Sequence, residues 1–121
     1  MNVALWAAVM VIGGLGSVTR FVVDRAIARR ATGSFPFGTL TVNISGAVLL
    51  GFITAAALPH EVALLAGTAF VGAYTTFSTW MLETQRLTEE RQIWPAAANL
   101  VVSVVLGVSG AVVGQWVGSL L

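Results

Sequence analysis

The sequence predicts an all-α integral membrane protein with four transmembrane helices, forming one domain over residues 1–121. Composition is the first reason: 57% of the residues are hydrophobic and only 9% are charged, with a mean hydropathy of +0.90. A soluble domain of this size needs far more charge to cover its surface. The second reason is where the charges lie. Arg20, Asp24, Arg25, Arg29 and Arg30 form one group, Glu61 stands beside His60, and Glu83, Arg86, Glu89, Glu90 and Arg91 form the last. The third reason is what remains between them. The uncharged stretches 1–19, 31–59, 62–82 and 92–121 reach or nearly reach the roughly 20 apolar residues that a helix needs to cross the hydrocarbon core.

The first helix is expected from Asn2 to Asp24. It lacks a basic leading region and runs into glycine-rich sequence rather than a small-residue cleavage site, so it reads as a retained span and not a signal peptide. An arginine-rich segment follows, read as a short interfacial helix that ends at Thr32-Gly33-Ser34. The second helix starts near Pro36, where proline is tolerated because the first turn has no use for its N–H, and ends near Leu58. Pro59-His60-Glu61 is read as a tight turn. The third helix covers Val62 to Arg86, Thr88 to Gln92 form a polar loop, and the fourth helix runs from Trp94 to the C-terminus with Pro95 in its first turn. Trp6, Trp94 and Trp116 fall near the expected boundaries, where indole favours the headgroup region.

Four spans put the first and third loops on one side. All six arginines lie in or beside those loops, so the positive-inside rule places both termini outside. Small residues recur at helical spacing, with Gly13 and Ser17 in the first helix and Ser103, Gly107, Gly110, Gly114 and Gly118 in the fourth. Such rows let helix backbones approach closely in lipid, and packing accounts for most of them. Four short helices enclose little cavity, so an aqueous path calls for a second subunit.

Several classes of function are disfavoured. The net charge of +1 gives no case for nucleic acid, and the absence of cysteine rules out disulfides and thiol chemistry. No phosphate loop, metal-ligand cluster or nucleophile–base pair appears, so an enzyme is not expected. His60 has no evident partner. No span requires an ionisable residue within it, which speaks against proton-coupled transport.

Two places carry polar chemistry at membrane depth. Asn43 stands in the middle of the second span, between Thr39 and Gly46. Its amide is costly to leave unpaired in lipid, so it either bonds a neighbouring helix or faces a polar path. The third span contains Gly72-Ala73-Tyr74-Thr75-Thr76-Phe77-Ser78-Thr79-Trp80, poor helix sequence. One reading is a continuous helix whose hydroxyls bond back to the preceding turn. The other is a discontinuous helix that presents main-chain groups to an ion. Phe77 and Trp80 share a face, either for packing or to present positive ring edges to a small anion beside the Ser78 and Thr79 hydroxyls.

With these residues in view, the chain resembles the Fluc or CrcB family of fluoride channels over nearly its whole length. The resemblance rests on Gly13-Gly14-Leu15-Gly16-Ser17-Val18-Thr19-Arg20-Phe21, on Phe35-Pro36-Phe37-Gly38-Thr39-Leu40-Thr41-Val42-Asn43 with Gly46 and Gly51, and on 72–79 closing at Glu83. It implies an antiparallel, dual-topology dimer with two fluoride pores and a third helix broken at mid-membrane. It implies that Asn43 and Phe77 line a pore, that Ser103 lies on a polar track of the fourth helix, and that a structural sodium ion (Na+) on the dimer axis is held by the backbone carbonyls of Gly72 and Thr75. Two departures stand out. Trp80 replaces a second pore phenylalanine, adding an N–H donor and bulk that narrows a pore, and Asn99 stands where the track often has tyrosine.

The expected function is passive fluoride efflux across a bacterial cytoplasmic membrane, in contact with membrane lipid. Asn43, Ser78, Thr79 and Ser103 are the expected donors, Phe77 and Trp80 the ring edges, and Arg20 the vestibule cation. A small dual-topology multidrug exporter is the first rival, but it calls for a carboxylate in the first helix, and residues 1–19 have none. A non-transporting scaffold is the second, and it leaves Asn43 and residues 72–80 without a purpose. The arginine asymmetry bears on the partner. A chain inserting both ways needs little bias, so a homologous subunit of opposite bias is expected as an alternative to a second copy.

Overall fold

The computed structural model describes residues 2–121. It is helical throughout, with four segments long and apolar enough to cross a membrane: Val3–Arg30, Phe37–Ala55, His60–Glu89 and Ile93–Ser119. We label Val3–Arg30 α1 and Phe37–Ala55 α2. The third span divides into α3 (60–74) and α4 (Ser78–Glu89), and α5 is Ile93–Ser119.

Helix α1 differs from the expected Asn2–Asp24. It starts after an Asn2 cap whose side chain accepts from the Leu5 N–H at 2.8 Å, and it continues without interruption to Arg30. Arg25 to Arg30 are good helix formers with no breaker among them, so the expected separate interfacial helix is the last two turns of α1. Arg29 and Arg30 occupy its final turn, where cations complement the helix dipole. The chain reverses at Gly33, whose φ of +86° suits a residue without a Cβ. Twenty-eight residues span about 42 Å, more than the roughly 30 Å hydrocarbon core. The arginine end therefore reaches into the headgroup zone.

The turn expected at Pro59-His60-Glu61 lies slightly earlier, because His60 already starts α3 behind Pro59. Within α3, Leu64–Val71 is wound as a π-helix. Its wide turns were not signalled by the sequence, and they commonly mark functional segments. The Gly72 N–H closes them by reaching both Ala69 and Gly67 carbonyls. The Ser34 hydroxyl bonds the Gln92 side chain, so the first and third loops meet at the arginine-rich end, as an up-and-down order requires.

Packing follows the small residues. Helices α2 and α5 run parallel in close contact: a Cβ on Gly114 would overlap the Val48 carbonyl, and one on Gly51 would overlap the Ala111 carbonyl. Gly110, Gly114 and Gly118 meet Ile44, Val48 and Phe52 in rising order, so the four-residue row is the seam between these helices. In α1, Gly16 lies against the Phe70 carbonyl of α3, whereas Gly14 has open space around it. Trp6, Trp94 and Trp116 are exposed.

Candidate functional site

Regular helix stops at Tyr74. Thr75 is extended, with φ −81° and ψ 161°, and helix resumes at Ser78. Asn43 of α2 fills this gap. Its Nδ2 donates to the Thr76 carbonyl at 2.8 Å, and its Oδ1 accepts from the Thr76 N–H at 2.9 Å. The side-chain amide thus pairs with the main chain as a neighbouring peptide would, satisfying both polar groups of Thr76 where water is scarce. Of the two readings of Asn43, bonding to a neighbouring helix is met. One Nδ2 hydrogen remains for a second acceptor.

Two side chains intercept the N–H groups that would continue the helix. In a regular ladder the Thr76 N–H bonds the Gly72 carbonyl and the Thr79 N–H bonds the Thr75 carbonyl. Here the first goes to Asn43 and the second to the Thr76 hydroxyl, at 3.2 Å. Thr76 therefore acts as the N-terminal cap of α4, and the Gly72 and Thr75 carbonyls lose those helical donors. Gly46 lets α2 approach the interruption, since a Cβ there would overlap the Thr75 methyl. Tyr74 is fixed from the same helix, its hydroxyl 2.9 Å from that of Ser45.

A cleft of about 320 Å³ opens beside the interruption, lined among others by Asn43, Gly46, Thr75, Thr76, Phe77 and Trp80. Phe77 is 70% exposed and meets Trp80 edge-on, with centroids 5.8 Å apart and planes at 84°. The N–H that Trp80 adds is already engaged: Nε1 donates to the Asn99 carbonyl of α5 at 3.0 Å. Asn99, fully buried, answers with Nδ2 to the Thr84 hydroxyl at 2.9 Å. The indole is thereby fixed between α4 and α5 with its donor turned away from the cleft.

The remaining expected site residues are divided. Thr79 lies in a neighbouring cavity of about 210 Å³, together with Ser17, Arg20, Asp24, Thr39 and Thr76. Thr76 touches both spaces, so the interruption is the partition between them. Ser78 is exposed at the start of α4 and lines neither space. Ser103 is buried on α5, one turn beyond Asn99, and both the Ser103 hydroxyl and Asn99 Oδ1 lack a hydrogen-bond partner. Sequence reasoning passed over Thr76, Asp24 and the tertiary role of Asn99. Only Thr76 had a local signal, as one of several residues in 75–78 of a type favoured at a helix N-cap.

Comparison with known proteins places the chain in a family. The family described as CrcB-like protein, Camphor Resistance (CrcB), matches residues 7–115. A protein of Mycobacterium tuberculosis (strain ATCC 25618 / H37Rv) named fluoride-specific ion channel FluC 2 is 65% identical over 120 residues, covering 99% of this chain and 95% of its own. One of the same name from Mycolicibacterium paratuberculosis is 67% identical over 120 residues, covering 99% and 98%. The fluoride-specific ion channel FluC 1 of Leifsonia xyli is 43% identical over 117 residues, covering 93% and 85%. Matched along nearly its whole length, this multi-pass membrane protein belongs to the CrcB family, a family of channels rather than enzymes.

Proposed function

We propose that the protein is a fluoride-selective channel that lets fluoride leave the cell passively through the cytoplasmic membrane, conferring fluoride resistance. The observation that carries this is the interruption after Tyr74, stitched by Asn43 and flanked by the Phe77 and Trp80 rings. Fluoride is small and strongly hydrated, so a narrow path must replace its water with fixed donors and ring edges. Asn43, with its spare N–H, and the Phe77 and Trp80 rings line one cleft, while Thr79 and Arg20 line the adjoining cavity. The unpartnered Ser103 hydroxyl is a further donor, and Ser78, exposed and outside both spaces in the single chain, would be one only where a second subunit covers it. Both spaces are open in the single chain, which supports pores completed by a second subunit in an antiparallel dimer.

A structural sodium ion fits the same geometry. The described residues hold no cluster of His, Cys, Asp or Glu suited to a metal, but a hard cation takes oxygen ligands. The Gly72 and Thr75 carbonyls are released from the ladder on one side of the break. Paired with their counterparts across the dimer axis, they would supply an all-oxygen site at mid-membrane. The ion would contribute fixed positive charge there.

Fluoride-electrode recording from liposomes containing the purified protein tests the function. Fluoride efflux without matching chloride efflux is expected, and Trp80→Phe is expected to raise it by removing bulk from the cleft. Equal chloride efflux would overturn the selectivity. No flux from a verified antiparallel dimer would favour a scaffold, or the need for a homologous partner subunit.

All six arginines flank the two loops at one end, which favours one insertion direction and supports a homologous partner of opposite bias. Reporter tags on the termini of this chain expressed alone are expected on the outer side only. Equal signal from both sides would instead support dimerisation with a second copy.

A further inference from the structure

The geometry points to a binding groove for an anionic phospholipid headgroup on the outer face of the last turns of α1. This inference requires that the chain spans a membrane with its arginine end on the cytoplasmic side, and it is independent of the fluoride reading. Phe21, Val22, Arg25, Ala26 and Arg29 line a shallow groove of about 310 Å³. Phe21, Arg25 and Arg29 are spaced by four residues and share one helix face. The Arg25 guanidinium sits 5.6 Å from the centre of the Phe21 ring, a cation–π contact that holds it over the groove.

The groove carries cationic charge alone. Asp24, the one acid of this segment, faces the other way: it lines the cavity that holds Thr79 and a further one beside Gly38 and Glu83, and it approaches so near Gly38 of α2 that a Cβ there would overlap its carboxylate. Arg20 also faces the interior. Arg25 and Arg29 are therefore left exposed at the depth where α1 emerges from the hydrocarbon core. Below them Val11, Leu15, Val18 and Val22 form an exposed apolar stripe, suited to an acyl chain descending from the headgroup. The arginine end is the cytoplasmic end by the positive-inside rule, and that leaflet carries the anionic lipid. A planar guanidinium pairs with a phosphodiester through two parallel hydrogen bonds.

Intact-protein mass spectrometry in neutral detergent tests this by titrating phosphatidylglycerol, phosphatidylcholine and inorganic phosphate separately. Phosphatidylglycerol is expected to bind well above phosphatidylcholine, and inorganic phosphate is not expected to displace it. Arg25→Gln/Arg29→Gln is expected to weaken phosphatidylglycerol binding about twenty-five-fold, from roughly fivefold per guanidinium. Should that variant fail to fold, salt titration of the unaltered protein serves, with binding expected to fall as salt rises. Equal binding of the two lipids, displacement by inorganic phosphate, or binding indifferent to both salt and substitution would overturn the assignment.

Discussion

Asn43→Ala is expected to abolish fluoride efflux and to lower the stability of the purified protein by about 2–6 kcal/mol. The magnitude comes from the partners left behind. Alanine removes both hydrogen bonds to Thr76, and each buried main-chain group left without a partner costs about 1–3 kcal/mol. Water cannot easily substitute at membrane depth. The released Thr76 N–H would then be free to return to the Gly72 carbonyl, favouring regular helix through the interruption and reshaping the cleft that Phe77 lines. Asn43→Asp separates the contributions. The carboxylate still accepts from the Thr76 N–H but faces the Thr76 carbonyl with no donor, so it is expected to recover part of the stability and none of the flux. Denaturant unfolding together with fluoride-electrode traces measures both. Wild-type stability and flux in the alanine variant would show that the interruption does not depend on Asn43.

Gly114→Ala is expected to destabilise the protein by about 3 kcal/mol, the upper end for an overpacked core, and Gly107→Ala to leave it within about 1 kcal/mol of the unaltered protein. The two glycines lie on the same helix, seven residues apart. A Cβ at Gly114 would overlap the Val48 carbonyl and stand 3.0 Å from the Phe52 nitrogen, whereas one at Gly107 would stand 3.9 Å from the nearest atom, the Ile44 Cδ1. Backbone cannot rotate out of the way as a side-chain end can, so α2 and α5 would have to separate. That separation forfeits the contacts which take the place of a hydrophobic driving force between helices in lipid. Thermal unfolding of both variants in detergent gives the comparison. Equal midpoints would mean that α2 and α5 do not meet along Gly110, Gly114 and Gly118.

Much of the site was visible before folding, though not its wiring. Asn43 and residues 72–80 stood out because amides and Gly-Thr sequence are out of place in an apolar span. That the Asn43 amide needs a partner was legible locally too. That Asn43 reaches across 33 residues to Thr76 was not, because such pairing depends on how α2 and α3 are rotated against each other. Trp80 shows the same limit. Its bulk and its N–H were evident, but only packing against α5 turned that N–H toward Asn99. Ser103 lay on the expected helix, yet its burial without a partner depends on neighbours that the residue type does not reveal. The π-wound turns of 64–71 left no mark in the sequence, since their apolar residues suit either winding.

The sequence by itself determined the membrane class, the number of spans, the end that carries the arginines and the small-residue row along which α5 packs. Those follow from hydropathy, charge placement and spacing, which are one-dimensional properties. Tertiary structure alone decided that Asp24 turns inward while Arg25 and Arg29 turn out, and that Asn43 replaces a stretch of helical ladder. Each of these depends on which groups lie within hydrogen-bonding or van der Waals reach across helices, a distance of a few ångströms that chain order does not encode.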